Sequence, residues 1–176
     1  MPDTDVIQKL ITRDQMVSFM ECKSDGKYHL IGEGFTDLSE SKGAKEYTRK
    51  YVHLKTEISD VIGYAPSYAY SCDVISGDPV VEEIVEITDY EMIGSDTHRN
   101  IVTVNNWIPG ATSGTFEAFQ RKFAIIPDGK GSGTEALIYT GTLKARGDVI
   151  PGSFDMKTMT FTPDSNAGET ESTQTT

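Results

Sequence analysis

Three histidines, two cysteines and one glycine-rich loop are the residues whose types invite chemistry. His29, His53 and His98 fall in separate segments. None has a second His or Cys two, three or four residues on, the spacing at which one element presents two metal ligands, so no metal site is expected. Cys22 and Cys72 each lie in a strand-like run, and neither opens a helix whose dipole would lower its pKa; two reduced, half-buried thiols are expected rather than a disulfide. No Gly-x-Ser-x-Gly elbow is present. Gly129-Lys130-Gly131-Ser132-Gly133-Thr134 has the composition of a phosphate loop. Its Gly–Lys spacing is wrong and a strand follows where a helix should start, so it reads as a hairpin loop. Arg146-Gly147-Asp148 spells an adhesion tripeptide, but in a turn-rich acidic chain it reads as an ordinary turn. With no catalytic constellation and no cofactor motif, the chain is expected not to be an enzyme but a building block or a binder.

The elements that would position these groups are mostly strands. One long helical pattern stands out, from Asp78-Pro79 to Met92. Asp78 is a good N-cap and Pro79 suits the first helical position, where a missing N–H costs nothing. On a helical wheel Val80, Val81, Ile84, Val85, Ile87, Thr88 and Met92 fall on one side. Glu82, Glu83, Glu86, Asp89 and Tyr90 fall on the other, with only Glu91 out of place. An amphipathic helix over about residues 79–92, lying on a sheet, is predicted. Glu82, Glu83 and Glu86 have no lysine at i+4, and their acidic face is a candidate contact with a basic patch on a neighbouring subunit.

Ahead of the helix, Met16–Lys23 and Tyr28–Glu33 read as a hairpin around Ser24-Asp25-Gly26. Residues 39–45 hold no apolar anchor beyond Ala44 and predict a solvated loop. Lys45–Leu54 and Ser67–Asp73 return to strand character, the first with Tyr47, Arg49, Tyr51 and His53 on one face. Behind the helix, Asn100–Trp107 and Thr115–Ile126 predict strands, the latter ended by Pro127-Asp128-Gly129. Glu135–Ala145 and Phe154–Phe161 predict a final pair. Phe154, Met156, Met159 and Phe161 put apolar groups on both faces of that last strand, which points to burial between subunits. Val6, Ile7, Leu10 and Ile11 have helical spacing in a segment too short to be helical alone. The organisation expected is an N-terminal arm over 1–15, one domain over 16–162, and a disordered polar tail over 163–176. The fold class expected is mainly β: a sandwich or partly open barrel of seven or eight strands with one flanking helix.

Charge narrows the function classes. With 16 Lys and Arg against 27 Asp and Glu, a formal charge of −11 disfavours gripping nucleic acid by its phosphates, and equally an anionic membrane. No apolar run has the length of a membrane span. A carbohydrate-binding or adhesion module would need exposed aromatics, for which Tyr64, Tyr68 and Tyr70 near Trp107 are the candidates.

The order of these pieces over roughly residues 16–162 resembles the major tail tube protein of long-tailed bacteriophages. It is carried by the opening hairpin, the polar loop Asp37–Lys45, the aromatic and charged run Glu46–His53, and Gly63-Tyr64-Ala65-Pro66-Ser67-Tyr68. Gly77-Asp78-Pro79-Val80-Val81 with its helix, Ile93-Gly94-Ser95-Asp96, and Gly147 through Asp155 complete it. The resemblance implies a β-sandwich subunit that closes into hexameric rings by joining sheets edge to edge. The rings would stack into a hollow tube around a tape-measure protein, between a tail terminator and the baseplate or tip proteins. It implies a place in the virion tail, with assembly in the host bacterial cytoplasm and genome DNA passing without specific binding. The family's long loop contacts the adjacent ring, which makes Ser39, Glu40, Ser41, Lys42, Gly43 and Lys45 the candidate stacking interface. A tail terminator or a secretion-type tube ring on the same fold is the alternative. Acidic walls suit a conduit for a polyanion, since each lysine–phosphate contact would add affinity and slow passage.

Overall fold

In the computed structural model, which describes residues 9–165, one large curled sheet carries nearly everything else. Its strands run β2 (Tyr28–Ile31), β1 (Met16–Glu21), β7 (His98–Pro109), β8 (Thr115–Ser132), β9 (Ile138–Ala145), β6 (Ser67–Asp73) and β3 (Phe35–Ser41). All neighbours are antiparallel. β8 serves both halves: its first part pairs with β7 and with β10 (Ile150–Asp155), its second with β9. Among the described residues β11 (Thr160–Pro163) pairs only with β10. Between β3 and β6 the chain makes a separate ribbon, β4 (Ala44–Arg49) with β5 (Ile58–Tyr64). The architecture is mainly β and partly open, with one helix, α1 (Pro79–Asp89), on one face.

Strand alternation sends successive side chains to opposite faces, and here both faces are buried. Met20, Ile101, Phe123, Ile125, Tyr139 and Leu143 point to the helix side and pack against Val80, Ile84 and Ile87. Their neighbours Phe19, Val102 and Ala118, with Val104, point the other way and enclose Phe154. Full burial of each large side chain contributes roughly 1.5–3 kcal/mol. Phe154 stacks on Phe19 with ring centroids 4.6 Å apart and meets Tyr28 edge-on at 5.8 Å. Phe154, with Met156 and Phe161 packed beside it, therefore finds cover inside the chain, whereas Met159 stays exposed.

The helix starts as expected: the Asp78 carboxylate accepts from the amides of Val80 (2.9 Å) and Val81 (3.2 Å). It stops at Asp89 rather than Met92. Glu91, the one residue out of place on the wheel, lies beyond the helix in the left-handed region (φ 49). There it ends the helix instead of belonging to a face. Glu83 also departs from the wheel, being 4% exposed against its predicted polar face. It receives the Arg99 guanidinium from β7 and the Ser24 amide at 2.9 Å. Arg99 in turn donates to the carbonyls of Asp96 (2.7 Å) and His98 (2.8 Å). The ion pair ties the helix to β7, and the Ser24 amide ties it to the turn between β1 and β2.

The strands also differ: eleven stand among the described residues where seven or eight were expected, and several boundaries moved, β4 for example ending at Arg49 rather than Leu54. β8 does not end at Ile126 but runs through Pro127 to Ser132, because the ladder to β9 shifts register between Pro127 and Gly129, where a missing N–H is tolerated. Phe154–Phe161 is not one strand. The Asp155 carboxylate accepts from the amides of Lys157 (2.7 Å) and Thr158 (3.2 Å), folding the chain into the turn between β10 and β11. β10 then pairs with β8, not with β9. Pro163, expected in the tail, belongs to β11, and the Asp164 amide donates to the Pro151 carbonyl at 3.0 Å. Of the expected arm, residues 1–8 lie outside the described residues, as does the tail from residue 166. Arg13–Gln15 form a short 3-10 turn.

Candidate functional site

The groups that invited chemistry are scattered. His29 bonds the Asp25 carboxylate at 2.9 Å, His53 stacks beside Tyr51, and His98 starts β7. Among the described residues no group of three His, Cys, Asp or Glu is placed to hold a metal. Cys22 and Cys72 are unpaired thiols with no exposure at all. Burial pushes their pKa values up, to about 12 and about 11. A thiol held protonated is a poor nucleophile. Gly129 and Lys130 lie in the bulged end of β8 rather than in a phosphate cradle. Tyr68 and Tyr70 are 5% and 3% exposed, so of the tyrosines a sugar-binding face would need, only Tyr64 is open.

The candidate stacking residues occupy a built structure, not a solvated loop. Ser39, Glu40 and Ser41 are the end of β3, opposite Ala69, Tyr68 and Ser67. Lys45 lies on β4 opposite Gly63. Lys42 and Gly43 form an elbow between the two ladders, where the Ala65 amide donates to both of their carbonyls at 3.2 and 3.1 Å. Gly43 adopts φ 53, and a Cβ there would lie 2.5 Å from the Ala65 carbonyl oxygen. The backbone partner strand supplies the anchor that these polar side chains lack, which is why a reading based on side chains alone left the segment as a loop.

Beyond the elbow, β4, β5 and their connection form a ribbon with almost no cover. Every residue of β4 is exposed, and all of β5 except Gly63. Tyr47, Tyr51, Val52, Ile58, Val61, Ile62 and Tyr64 are open to solvent, Val52 completely. Large apolar side chains gathered on one exposed element mark an interaction surface. Arg49 lies over the Tyr47 ring at 5.3 Å.

A second opening lies between the ends of the sheet. β2 and β3 curl toward one another without pairing, leaving a gap of about 980 Å³ bordered by Val17, Leu30, Ile31, Phe35 and Leu38. Arg13 reaches across to the Leu38 carbonyl at 3.4 Å. Each of these strands keeps one edge without a strand partner among the described residues. On the helix, Glu82 and Glu86 are exposed, with Glu82 accepting from the Gly77 amide at 2.9 Å, while Glu83 is withdrawn into the core.

No protein-family profile and no curated protein matches the chain. Among solved structures, the tube terminating cap of the anti-feeding prophage aligns over 85% of this chain and 95% of its own, with 13% identity and a TM-score of 0.50. The fold is tail-tube-like. A baseplate chain of the anti-feeding prophage aligns with TM-score 0.49 and 10% identity, over 82% of this chain and 97% of that one. A chain of an extracellular contractile injection system's sheath–tube complex does so with 0.46 and 13%, over 82% and 93%.

Proposed function

We propose that this chain is a structural ring subunit of a phage-tail-like tube. The observation that carries the reading is the union, in one tail-tube-like fold, of unpaired strand edges with a ribbon exposed on both faces. Free edges are an aggregation hazard for a monomer and become joints when copies complete each other's sheets into a closed ring. In this reading hexameric rings form through those edges, and the elbow at Ser39–Lys45 aims the β4–β5 ribbon at the adjacent ring. The rings stack around a tape-measure protein between a terminator and the baseplate or tip, in a virion tail of the long-tailed type. The negative balance of the chain keeps the bore from holding the DNA that passes through it.

A second reading is a terminating cap, favoured by the alignment with a tube terminating cap. A cap closes one end and need not stack on itself. Sedimentation velocity over a concentration series separates the two. A stacking subunit gives ring-sized species that grow into longer particles, a cap gives one ring-sized species and no more, and a monomer at every concentration overturns both.

A further inference from the structure

The chain is acidic, yet the tip of its exposed ribbon is basic. Along the ribbon as a whole Glu46, Glu57 and Asp60 nearly offset the cations, but the tip carries Arg49, Lys50 and Lys55 with no carboxylate between them, and Lys42 and Lys45 stand at the elbow. Only Lys42 of these has an ion-pair partner among the described residues, Glu40. At the ribbon's tip Tyr51 is 47% exposed and Val52 fully so. The tip is therefore a basic knob with an apolar end.

A surface of the opposite kind lies along α1. A groove of about 420 Å³ runs between the helix and the segment before it, floored by Val74, Val81 and Val85 and flanked by Glu82, Glu86 and Tyr90. Its border carries carboxylates and no cation. Lys130 is bound to Asp89 at the helix end, and Glu82 and Glu86 have no cationic partner among the described residues. Apolar floor meets apolar tip, and carboxylate border meets lysine and arginine.

We infer that the groove beside α1 receives the β4–β5 tip of a second copy of this chain. The inference rests on the ring-subunit reading and names the partner of both surfaces. Complementary charge sets orientation and register between copies, while Val52 and Tyr51 supply the apolar contact. Surface ion pairs are weak singly and screened by salt, so several act together and the contact weakens as ionic strength rises.

The test is a charge swap in the full-length chain, read as the concentration at which particles form by light scattering and negative-stain microscopy. E82K with E86K, and separately K50E with K55E, are each expected to raise that concentration about tenfold or more, the effect of several surface pairs together. Far-UV circular dichroism should stay unchanged, since all four residues are exposed; the melting temperature should fall only slightly and only with E82K, which loses the Gly77 amide contact in the first turn of α1. Combining the four substitutions in one chain should restore assembly toward the wild-type level. Wild-type assembly with both reversed variants assembling equally well overturns this contact while leaving the ring reading intact. Reversed variants that fail but are not rescued by the combination overturn the pairing of these two surfaces. A wild-type chain that forms no particle overturns both readings.

Discussion

β5 and β6 are successive strands of seven residues each, separated by Ala65-Pro66, yet they are opposite in use. β6 alternates between buried and half-exposed positions, with Tyr68, Tyr70 and Cys72 facing the helix core. β5 is as apolar, with Ile58, Val61, Ile62 and Tyr64, and buries none of them. Strand propensity is therefore shared while packing is not. The difference lies in neighbours: among the described residues β6 is flanked by β9 and β3, whereas β5 has only β4. An isolated two-stranded ribbon is marginally stable in water, and its exposed apolar residues contribute nothing to this chain's own core. The sheet and helix below the elbow make the fold, and the short ribbon above it adds nothing to that core.

That contrast is broken most severely by changes in the packed half. Arg99→Leu should leave Glu83 as a buried charge without its partner and cost about 3–5 kcal/mol in urea unfolding. Phe154→Ala, which empties the space against Phe19, should cost about 3–5 kcal/mol. Gly43→Ala attacks the elbow itself, through its positive φ and its approach to the Ala65 carbonyl. A loss of about 1–3 kcal/mol is expected there, with assembly reduced as well. Asp78→Ala removes the helix cap and should cost about 1 kcal/mol.

The buried thiols sharpen the same contrast by pH. Cys22 and Cys72 ionise near 9.0 when unfolded, and only at about 12 and about 11 when folded. The unfolded chain therefore loses its protons first, and stability present below pH 9 declines as pH rises above it. Iodoacetamide should leave both thiols unlabelled in the native protein at pH 8 and label both in urea; rapid native labelling would place them nearer solvent than the fold does. The smallest effect is expected on the ribbon: Val61→Ser with Ile62→Ser should change stability by no more than about 0.5 kcal/mol.

Much of the packed half was legible in the sequence. The β1–β2 hairpin follows from Ser24-Asp25-Gly26, β6 from its alternation, and the start of α1 from Asp78-Pro79. What escaped were features decided by partners distant in sequence or by a local turn. Glu83 looked solvent-facing because a wheel shows direction but not the arginine sixteen residues downstream that meets it. Ser39–Lys45 looked like a loop because its anchors are backbone groups of residues 63–69. The β10–β11 turn was written in Asp155 but masked by the apolar residues around it. The candidate surfaces were half legible: the acidic helix face could be seen, though not that only Glu82 and Glu86 remain on it.

Negative-stain microscopy of the concentrated full-length chain beside its Val61→Ser, Ile62→Ser variant tests the central claim most directly, that the bare ribbon serves assembly rather than folding. Hollow particles of uniform width that lengthen by stacking are expected for the parent chain, and single rings or isolated subunits for the equally stable variant. Identical particles from both, or lone monomers from the parent at every concentration, would contradict it.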